Sequence, residues 1–258
     1  MYQLFSPPVH LQNIVRYYWL LDLTADRKKI TEYIFAYPYV NWVFTMGRPY
    51  TVKDNFSGPL VIKNTSILGP RTNFAEYLHP EGNLAFGVTF QLGSTPSILK
   101  EDTQLITNKI ILQEDILPSS RWLTPFFNDV ALEDFVPALN GEIAKLTNNM
   151  QQNGYFIWSQ FLDLITVHKH YNTSASYLAK ELKISQRHLQ RITNHFAGLP
   201  PKHIQSMIRC RQAIKHIQRT GRVTDFFHYG YYDQNHFIKE VKRWTGHTPK
   251  ALFLILGA

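Results

Sequence analysis

The chain has 258 residues, of which 44% are hydrophobic and 18% charged, a balance typical of a globular protein long enough for two domains. Its single cysteine, Cys210, excludes an internal disulfide, and no apolar run approaches the length of a membrane span. The first residues lack a basic start followed by an apolar run, so no secretory signal peptide is expected. We therefore expect a cytoplasmic protein that is not inserted in a membrane.

The positive charge is confined to the second part of the chain. Residues 1–153 carry 12 Lys or Arg and 14 Asp or Glu, whereas residues 154–258 carry 15 and 5. Nine of the 11 histidines also lie in the second part. Such asymmetry indicates a polyanion-binding module attached to a nearly neutral domain, although a solvated basic surface would give the same counts.

Residues 1–115 have the pattern of a β-rich domain. Short aromatic or β-branched runs alternate with Gly-Pro, Gly-Arg-Pro and Pro-Glu-Gly punctuation. These runs are VRYYWLLDL, YVNWVFTM, LVIKNTSIL and LAFGVTFQL. The frequent aromatic residues either pack the interior of a β-barrel or line a ligand pocket inside it, and the sequence leaves both interpretations open.

The periodicity changes to that of helices from residue 119. Apolar residues then recur at three- and four-residue spacing, which predicts a helical linker over residues 119–153 with Ser119 or Ser120 as its first cap. The polar segment NNMQQNG ends at Gly154 and marks the expected boundary of a second domain over residues 154–258. Helical patterns continue from there, beginning with a helix predicted over residues 155–171.

Residues 174–196 have the pattern of a helix-turn-helix unit. The short helix in TSASYLAKEL is followed by the turn LKIS and by a second helix with Ser185 as its expected cap. The second helix of such a unit enters the major groove of DNA. Arg pairs with guanine and Gln or Asn with adenine through two hydrogen bonds. The candidate DNA-binding residues of this helix are Gln186, Arg187, Gln190, Arg191 and Asn194.

The segment FFHYGYYDQNHFIKEVKRWTG repeats this scheme. Gly230 stands in a turn, Asp233 is the expected cap, and the apolar residues of the following helix are expected to face inward. Similar tails follow the two units, FAGLPPKHI and WTGHTPKAL, so the pattern indicates a duplicated unit. The candidate DNA-binding residues of the second unit are Gln234, Asn235, Lys239 and Lys242.

Residues from about 155 to 252 resemble the double helix-turn-helix domain of the AraC/XylS family of bacterial transcription regulators. The stretch GYYDQNHFIKEVKRWTGHTPKAL resembles the C-terminal signature of that family, and ISQRHLQRITNHFAGLPPKHI resembles its first reader unit. The N-terminal EGNLAFGVTFQLGSTPSIL and TQLITNKIILQEDI are similar to the cupin-like sensory domains of some members. The resemblance implies an α+β chain, in which an N-terminal β-rich cupin-like domain over residues 1–115 precedes an all-α double helix-turn-helix domain.

One segment departs from the family pattern. VTDFFHYG is about one residue shorter than the usual helix before Gly230, and it has Phe226 and Phe227 where the family has a small Ala. We therefore expect the first helix of the second unit to pack differently, whereas the second reader helix is intact.

The resemblance implies a sequence-specific transcription regulator of bacteria that responds to an effector, and in this family activation is more frequent than repression. The residues do not decide between activation and repression. Double-stranded DNA is the predicted partner, read at two subsites about 10 bp apart. The resemblance also allows contact with RNA polymerase, a small-molecule effector in the N-terminal domain and a homodimer. It names neither the effector nor the residues that bind it.

An enzyme is the first alternative. Cupin-like barrels often hold a metal through a close His pair, but His10 and His79 lie far apart in the sequence. His168 and His170 would face different sides of a helix, and Cys210 has no obvious base near it and is interpreted as a packing residue. We therefore predict no enzyme activity, no metal and no cofactor.

A non-specific nucleic-acid-binding protein is the second alternative, because phosphate contacts require only Lys and Arg. The amides on both reader helices favour base-edge recognition instead. A scaffolding protein with a β-barrel sensor domain is the third alternative.

Overall fold

The computed structural model describes residues 1–25, 28–55, 58–112, 115, 132–147 and 154–255. Within these ranges the strands lie before residue 113 and the helices of eight or more residues lie after residue 131. The predicted class, a β-rich domain followed by a helical one, is confirmed. Among the described residues, no helix is both long and apolar enough to cross a membrane.

The strands of the N-terminal domain form two antiparallel sheets. The six-stranded sheet has the order β1 (Tyr2–Phe5), β2 (Val15–Asp22), β9 (Leu84–Phe90), β4 (Asn41–Thr45), β7 (Ser66–Leu68) and β10 (Ile110–Leu112). The four-stranded sheet has the order β3 (Ile30–Ile34), β8 (Ala75–His79), β5 (Tyr50–Asp54) and β6 (Leu60–Ile62). The four runs predicted from sequence contain five of these strands, because LVIKNTSIL holds both β6 and β7.

Strand β9 shows how the alternation of side chains separates two cores. Ala85 belongs to the apolar cluster between the sheets, which also contains Tyr50 and Tyr77. Phe86 and Val88 belong to a second cluster on the other face of the six-stranded sheet. Helix α2 (Leu132–Thr147) covers that face with Phe135, Leu139 and Ile143.

Helix α2 is the described part of the predicted linker over residues 119–153. The expected caps Ser119 and Ser120 and residues 148–153 of the polar boundary lie outside the described residues. A short helix, α1 (Thr95–Leu99), precedes α2, and Thr103–Ile106 form one turn of 3-10 helix.

The helices of the C-terminal domain share one apolar core. They are α3 (Tyr155–Thr166), α4 (Ala175–Glu181), α5 (Gln186–Ala197), α6 (Pro201–Thr220), α7 (Gln234–Thr245) and α8 (Pro249–Ile255). Helix α6 contacts both α5 and α7 and so connects the two helix-turn-helix units. The prediction of a helix through residue 171 is wrong at its end, because α3 stops at Thr166 and Lys169 has a left-handed backbone with φ 56°. His168 and His170 therefore lie in a loop.

The N-terminal domain contacts the C-terminal ends of both reader helices. The hydroxyl of Thr103 donates to the carbonyl oxygen of Phe196 in α5 at 3.2 Å. The backbone amide of Ala36 donates to the carbonyl oxygen of Trp244 in α7 at 2.8 Å. These bonds satisfy carbonyl groups that have no partner within the last turn of a helix. The position of both reader helices is thus tied to the β-rich domain.

Candidate nucleic-acid interface

A serine cap marks the start of helix α5 and a glycine marks its end. The side chain of Ser185 accepts a hydrogen bond from the backbone amide of His188 at 3.1 Å, which satisfies one exposed N–H group of the first turn. Gly198 follows the helix with φ 72°, a left-handed conformation that costs glycine little. The predicted cap of the first reader helix is therefore confirmed.

The two faces of α5 differ as the spacing of its residues indicates. Leu189, Ile192 and Phe196 are buried in the domain core, and the ring of Phe196 stacks on Trp158 with 5.7 Å between centroids. The opposite face carries the five candidate residues. Gln186, Arg187, Gln190 and Arg191 are exposed, and Asn194 is half-buried. The structure thus brings the five together on one helix, and their contact with DNA stays a prediction.

Helix α7 repeats this arrangement. The carboxylate of Asp233 accepts a hydrogen bond from the backbone amide of His236 at 2.7 Å, which confirms the predicted cap. Phe237, Val241 and Trp244 are buried beneath the helix. The candidates Gln234, Asn235, Lys239 and Lys242 are all exposed. Two capped helices therefore present amides and cations to solvent.

The segment before Gly230 is the part of the second unit that departs from the first. Val223–Tyr229 form a 3-10 helix, whereas the corresponding helix of the first unit is α4. Phe226 is buried, and its ring stacks on Phe237 of α7 with 5.2 Å between centroids and 8° between planes. Phe227 points outward and is 56% exposed. The expected difference in packing thus takes the form of a tighter helix that holds α7 through one aromatic stack.

A buried ion pair also holds α7, and the sequence reasoning missed it. The Nε atom of Arg209 in α6 donates to Oε1 of Glu240 at 3.0 Å, and its Nη2 atom contacts Oε2. The hydroxyl of Tyr231 donates to the same carboxylate at 2.8 Å, and the guanidinium lies 4.4 Å from the centre of the Tyr231 ring. Such bidentate pairing fixes the orientation of both side chains.

The available signal for this pair was the position of Arg209 along α6. Gln205 lies one turn earlier, and both side chains are buried, Gln205 donating to the carbonyl oxygen of His170 at 2.7 Å. Polar residues spaced four apart on the apolar face of a helix indicate buried partners. The neighbour Cys210 is 1% exposed and packs in the core as predicted, and burial raises the pKa of its thiol to about 12.

The exposed face of α5 forms one wall of a cleft of about 1560 Å³. The opposite wall belongs to the N-terminal domain and includes Lys100, Glu101 and Asp102. Asp102 contacts the ring of His195 near the end of α5. Two carboxylates therefore stand opposite the side chains expected to contact DNA.

The histidines considered for metal binding have different surroundings. His79 is buried, and its Nδ1 atom lies 3.0 Å from the amide oxygen of Asn83, while His10 is exposed. Among the residues that the structure describes, no group of three or more His, Cys, Asp or Glu could hold a metal ion.

Comparison with known proteins gives two family matches and no match to a curated protein sequence. Residues 178–253 match a helix-turn-helix domain of the AraC type. Residues 3–112 match a domain of unknown function, DUF6597.

Solved structures of ToxT from Vibrio cholerae have a similar fold. The unsaturated fatty acid-bound wild-type protein of strain SCE256 superposes with a TM-score of 0.52 at 12% identity, over 100% of this chain and 96% of that one. ToxT of strain O395 superposes with a TM-score of 0.50 at 15% identity, over 100% and 99%. The β-rich domain and the helical domain thus follow each other as they do in ToxT. The resemblance of the two reader units is confirmed, because residues 178–253 match the helix-turn-helix domain of the AraC type.

Proposed function

We propose that the protein is a sequence-specific transcription regulator that reads two DNA subsites and responds to an effector. The observation that carries this proposal is the pair of capped helices α5 and α7, each anchored by buried aromatic residues and each presenting amides beside cations. Amides recognise adenine through two hydrogen bonds, whereas lysine and arginine alone would suffice for phosphate. Residues 154–258 supply the binding energy, because they carry the whole positive excess of the chain.

The cleft in front of α5 is the place where the binding of DNA could be regulated. Phosphates that approach α5 would meet Glu101 and Asp102 on the opposite wall, whose like charges outnumber the one cation there, Lys100. A change in the angle between the domains would move these carboxylates away and increase the affinity for DNA. An effector that favours the open arrangement would then act as an activator. RNA polymerase and a second copy of the chain are the protein partners under this proposal.

The direct test is selection of double-stranded DNA from a random pool, followed by binding measurements on the selected site. Gln190→Ala and Asn235→Ala should each weaken the selected site by about 1–3 kcal/mol and relax the sequence preference in different subsites. Arg48→Ala is the matched control, because Arg48 is an exposed cation of the N-terminal domain. It should leave both the affinity and the preference unchanged.

The outcomes separate the alternatives. If the pool yields no preferred sequence and binding depends only on salt, the protein is a non-specific nucleic-acid binder. If Gln190→Ala changes the preference and Asn235→Ala does not, α7 is a structural support and only one subsite is read. Transcription from the selected site with purified RNA polymerase then decides between activation and repression.

A further inference from the structure

The N-terminal domain contains a cavity of about 270 Å³ that opens from the space between the sheets towards α6. We call it the barrel cavity. Its walls are rich in polar aromatic side chains and poor in aliphatic ones. They include Tyr33, Tyr37, Tyr50, Tyr77, His79 and Asn41. The cavity can therefore form hydrogen bonds with a ligand.

Several polar atoms of these walls are buried without a partner. The hydroxyls of Tyr50 and Tyr77 form no hydrogen bond within the described part of the chain, although the hydroxyl of Ser66 lies near that of Tyr50. The Nε2 atom of His79 lies 3.4 Å from Glu32 but also lacks a hydrogen bond. Buried polar groups in folded proteins are usually paired. These groups are therefore available to form hydrogen bonds with a molecule in the cavity.

The ionisation of the two tyrosines defines what such a molecule would offer. Burial raises the pKa of both Tyr50 and Tyr77 above the ordinary value, so both keep their protons at neutral pH. A protonated hydroxyl can donate a hydrogen bond. An acceptor oxygen or nitrogen at the inner end of the cavity would therefore satisfy these donors.

The mouth of the cavity is positively charged by side chains from both domains. Arg16 of β2 meets Arg211 and Lys215 of α6 there. Burial lowers the pKa of Lys215, and the charges of Arg211 and Arg16 lower it further. None of the three cations forms an ion pair with a described carboxylate. The acid in the cavity wall, Glu32, lies beside His79 instead.

We infer that the barrel cavity binds a small organic acid whose carboxylate contacts Arg16, Arg211 and Lys215 and whose hydroxylated aromatic body contacts Tyr50, Tyr77 and His79. The single negative charge of a carboxylate would reduce the repulsion among these three cations. An aromatic body would stack on the tyrosine rings, and a hydroxyl oxygen would accept from the buried hydroxyls. The volume is slightly below the range of about 300–1000 Å³ typical of sites for drug-sized ligands, which favours a small molecule.

The ligand that these side chains would bind differs chemically from a lipid. One of the ToxT structures contains an unsaturated fatty acid. A long acyl chain in the barrel cavity would leave the hydroxyls of Tyr50 and Tyr77 without an acceptor. The ligand class therefore follows from the side chains of this protein and not from the shared fold. The ligand site itself does not depend on the proposed function. Only the further step, in which this acid is the effector that regulates DNA binding, rests on the proposed function.

The test is binding of named probes to the full chain without DNA, measured by thermal shift and calorimetry. Para-hydroxybenzoate should raise the Tm, because it binds only the folded state. Its methyl ester, which lacks the charge, and palmitoleate, which lacks the hydroxyl and ring, should bind more weakly. The double variant Arg211→Ala, Lys215→Ala should weaken para-hydroxybenzoate by about tenfold or more. Arg219→Ala, an exposed cation at the end of α6, is the matched control.

A second variant tests the inner end of the cavity. Tyr77→Phe keeps the ring and removes the unpartnered hydroxyl, so it should weaken para-hydroxybenzoate and leave benzoate unchanged. Equal binding of the acid and its ester, stronger binding of palmitoleate, or no binding of para-hydroxybenzoate at millimolar concentration would overturn the inference.

The proposed function is tested separately by DNA binding. If para-hydroxybenzoate binds and the DNA affinity does not change, the ligand site stands and the effector role is lost.

Discussion

The two helix-turn-helix units present similar reader helices on different supports. In the first unit, α5 follows a regular helix, α4, whose cap Ser174 accepts a hydrogen bond from the backbone amide of Tyr177 at 3.2 Å. In the second unit, α7 follows a seven-residue 3-10 helix, a long run for a geometry with strained hydrogen bonds. The exposed faces and the caps are nevertheless alike.

The difference shows that reader chemistry and support are separable. The second unit supports α7 through the Phe226–Phe237 stack and the Arg209–Glu240 ion pair, although its first helix is a 3-10 helix. Both contacts act on the buried side of α7 and leave its exposed side free. A unit can therefore change its first helix as long as buried partners hold the second one in place.

The largest expected effect comes from removing the ion pair. Arg209→Ala leaves the carboxylate of Glu240 buried, and uncompensated buried charges of this kind cost about 3–5 kcal/mol. The side chains of Arg209 and Glu240 are 3% and 10% exposed, so solvent screens the remaining charge only weakly. Urea unfolding should show this loss in the free energy of unfolding of the C-terminal domain.

Two further variants make that result specific. Lys145→Ala breaks an exposed pair with Glu142 and should cost no more than about 1 kcal/mol. The double variant Arg209→Met, Glu240→Leu removes both charges and should recover much of the stability. If Arg209→Ala is no worse than Lys145→Ala, the ion pair does not support the second unit.

A smaller effect is expected at the caps, which the two units share. Ser185→Ala and Asp233→Ala each leave one backbone amide without its acceptor, at a typical cost of about 1 kcal/mol. The Asp233→Ala variant should lose more of the free energy of unfolding than Ser185→Ala. The hydrogen bond of Asp233 is shorter, 2.7 Å against 3.1 Å for Ser185, and its negative charge interacts favourably with the helix dipole. Urea unfolding compares the two variants.

The control for the caps is Ser159→Ala. The hydroxyl of Ser159 donates back to the carbonyl oxygen of Phe156 within α3 and caps no terminus, so its loss should change stability little. A larger loss for Ser185→Ala than for Asp233→Ala would mean that the first unit depends more on its cap than the second.

The sequence predicted what is decided locally. The start of α5 after Ser185 and of α7 after Asp233 follows from a cap residue beside a periodic apolar face, and both signals lie within a few positions. The burial of Phe237, Val241 and Trp244 follows from the same periodicity. The family signature then added the function that the spacing alone left open.

The sequence did not predict what depends on distant partners. The position of Arg209 along α6 indicates burial, but its partners Glu240 and Tyr231 are identified only in the folded chain. The stack of Phe226 on Phe237 likewise joins two elements whose relative position the sequence does not give. The barrel cavity likewise combines tyrosines of two sheets with cations of α6. Such sites require the relative positions of elements that are far apart in the chain.

The smallest expected effect concerns pH and the second unit alone. Arg243 of α7 donates from Nη2 to the Nε2 atom of His203 at 3.1 Å, and the ring of His203 meets that of Trp244 at 5.9 Å between centroids. Burial lowers the pKa of His203, and the charge of Arg243 lowers it further. The imidazole is therefore neutral in the folded protein at a pH where it is already protonated in the unfolded chain.

The sign of the pH effect follows from that difference. The contribution of this contact to the free energy of unfolding is complete above the ordinary histidine pKa of about 6.5. It decreases as the pH falls towards the lower pKa of His203 in the folded protein, because the unfolded state binds the proton first. Urea unfolding between about pH 7 and pH 5 should show a smaller acid loss for His203→Gln than for the wild type. His228→Gln, at an exposed histidine, is the control and should follow the wild type. Identical pH profiles for all three proteins would show that the contact between α6 and α7 does not depend on a neutral His203.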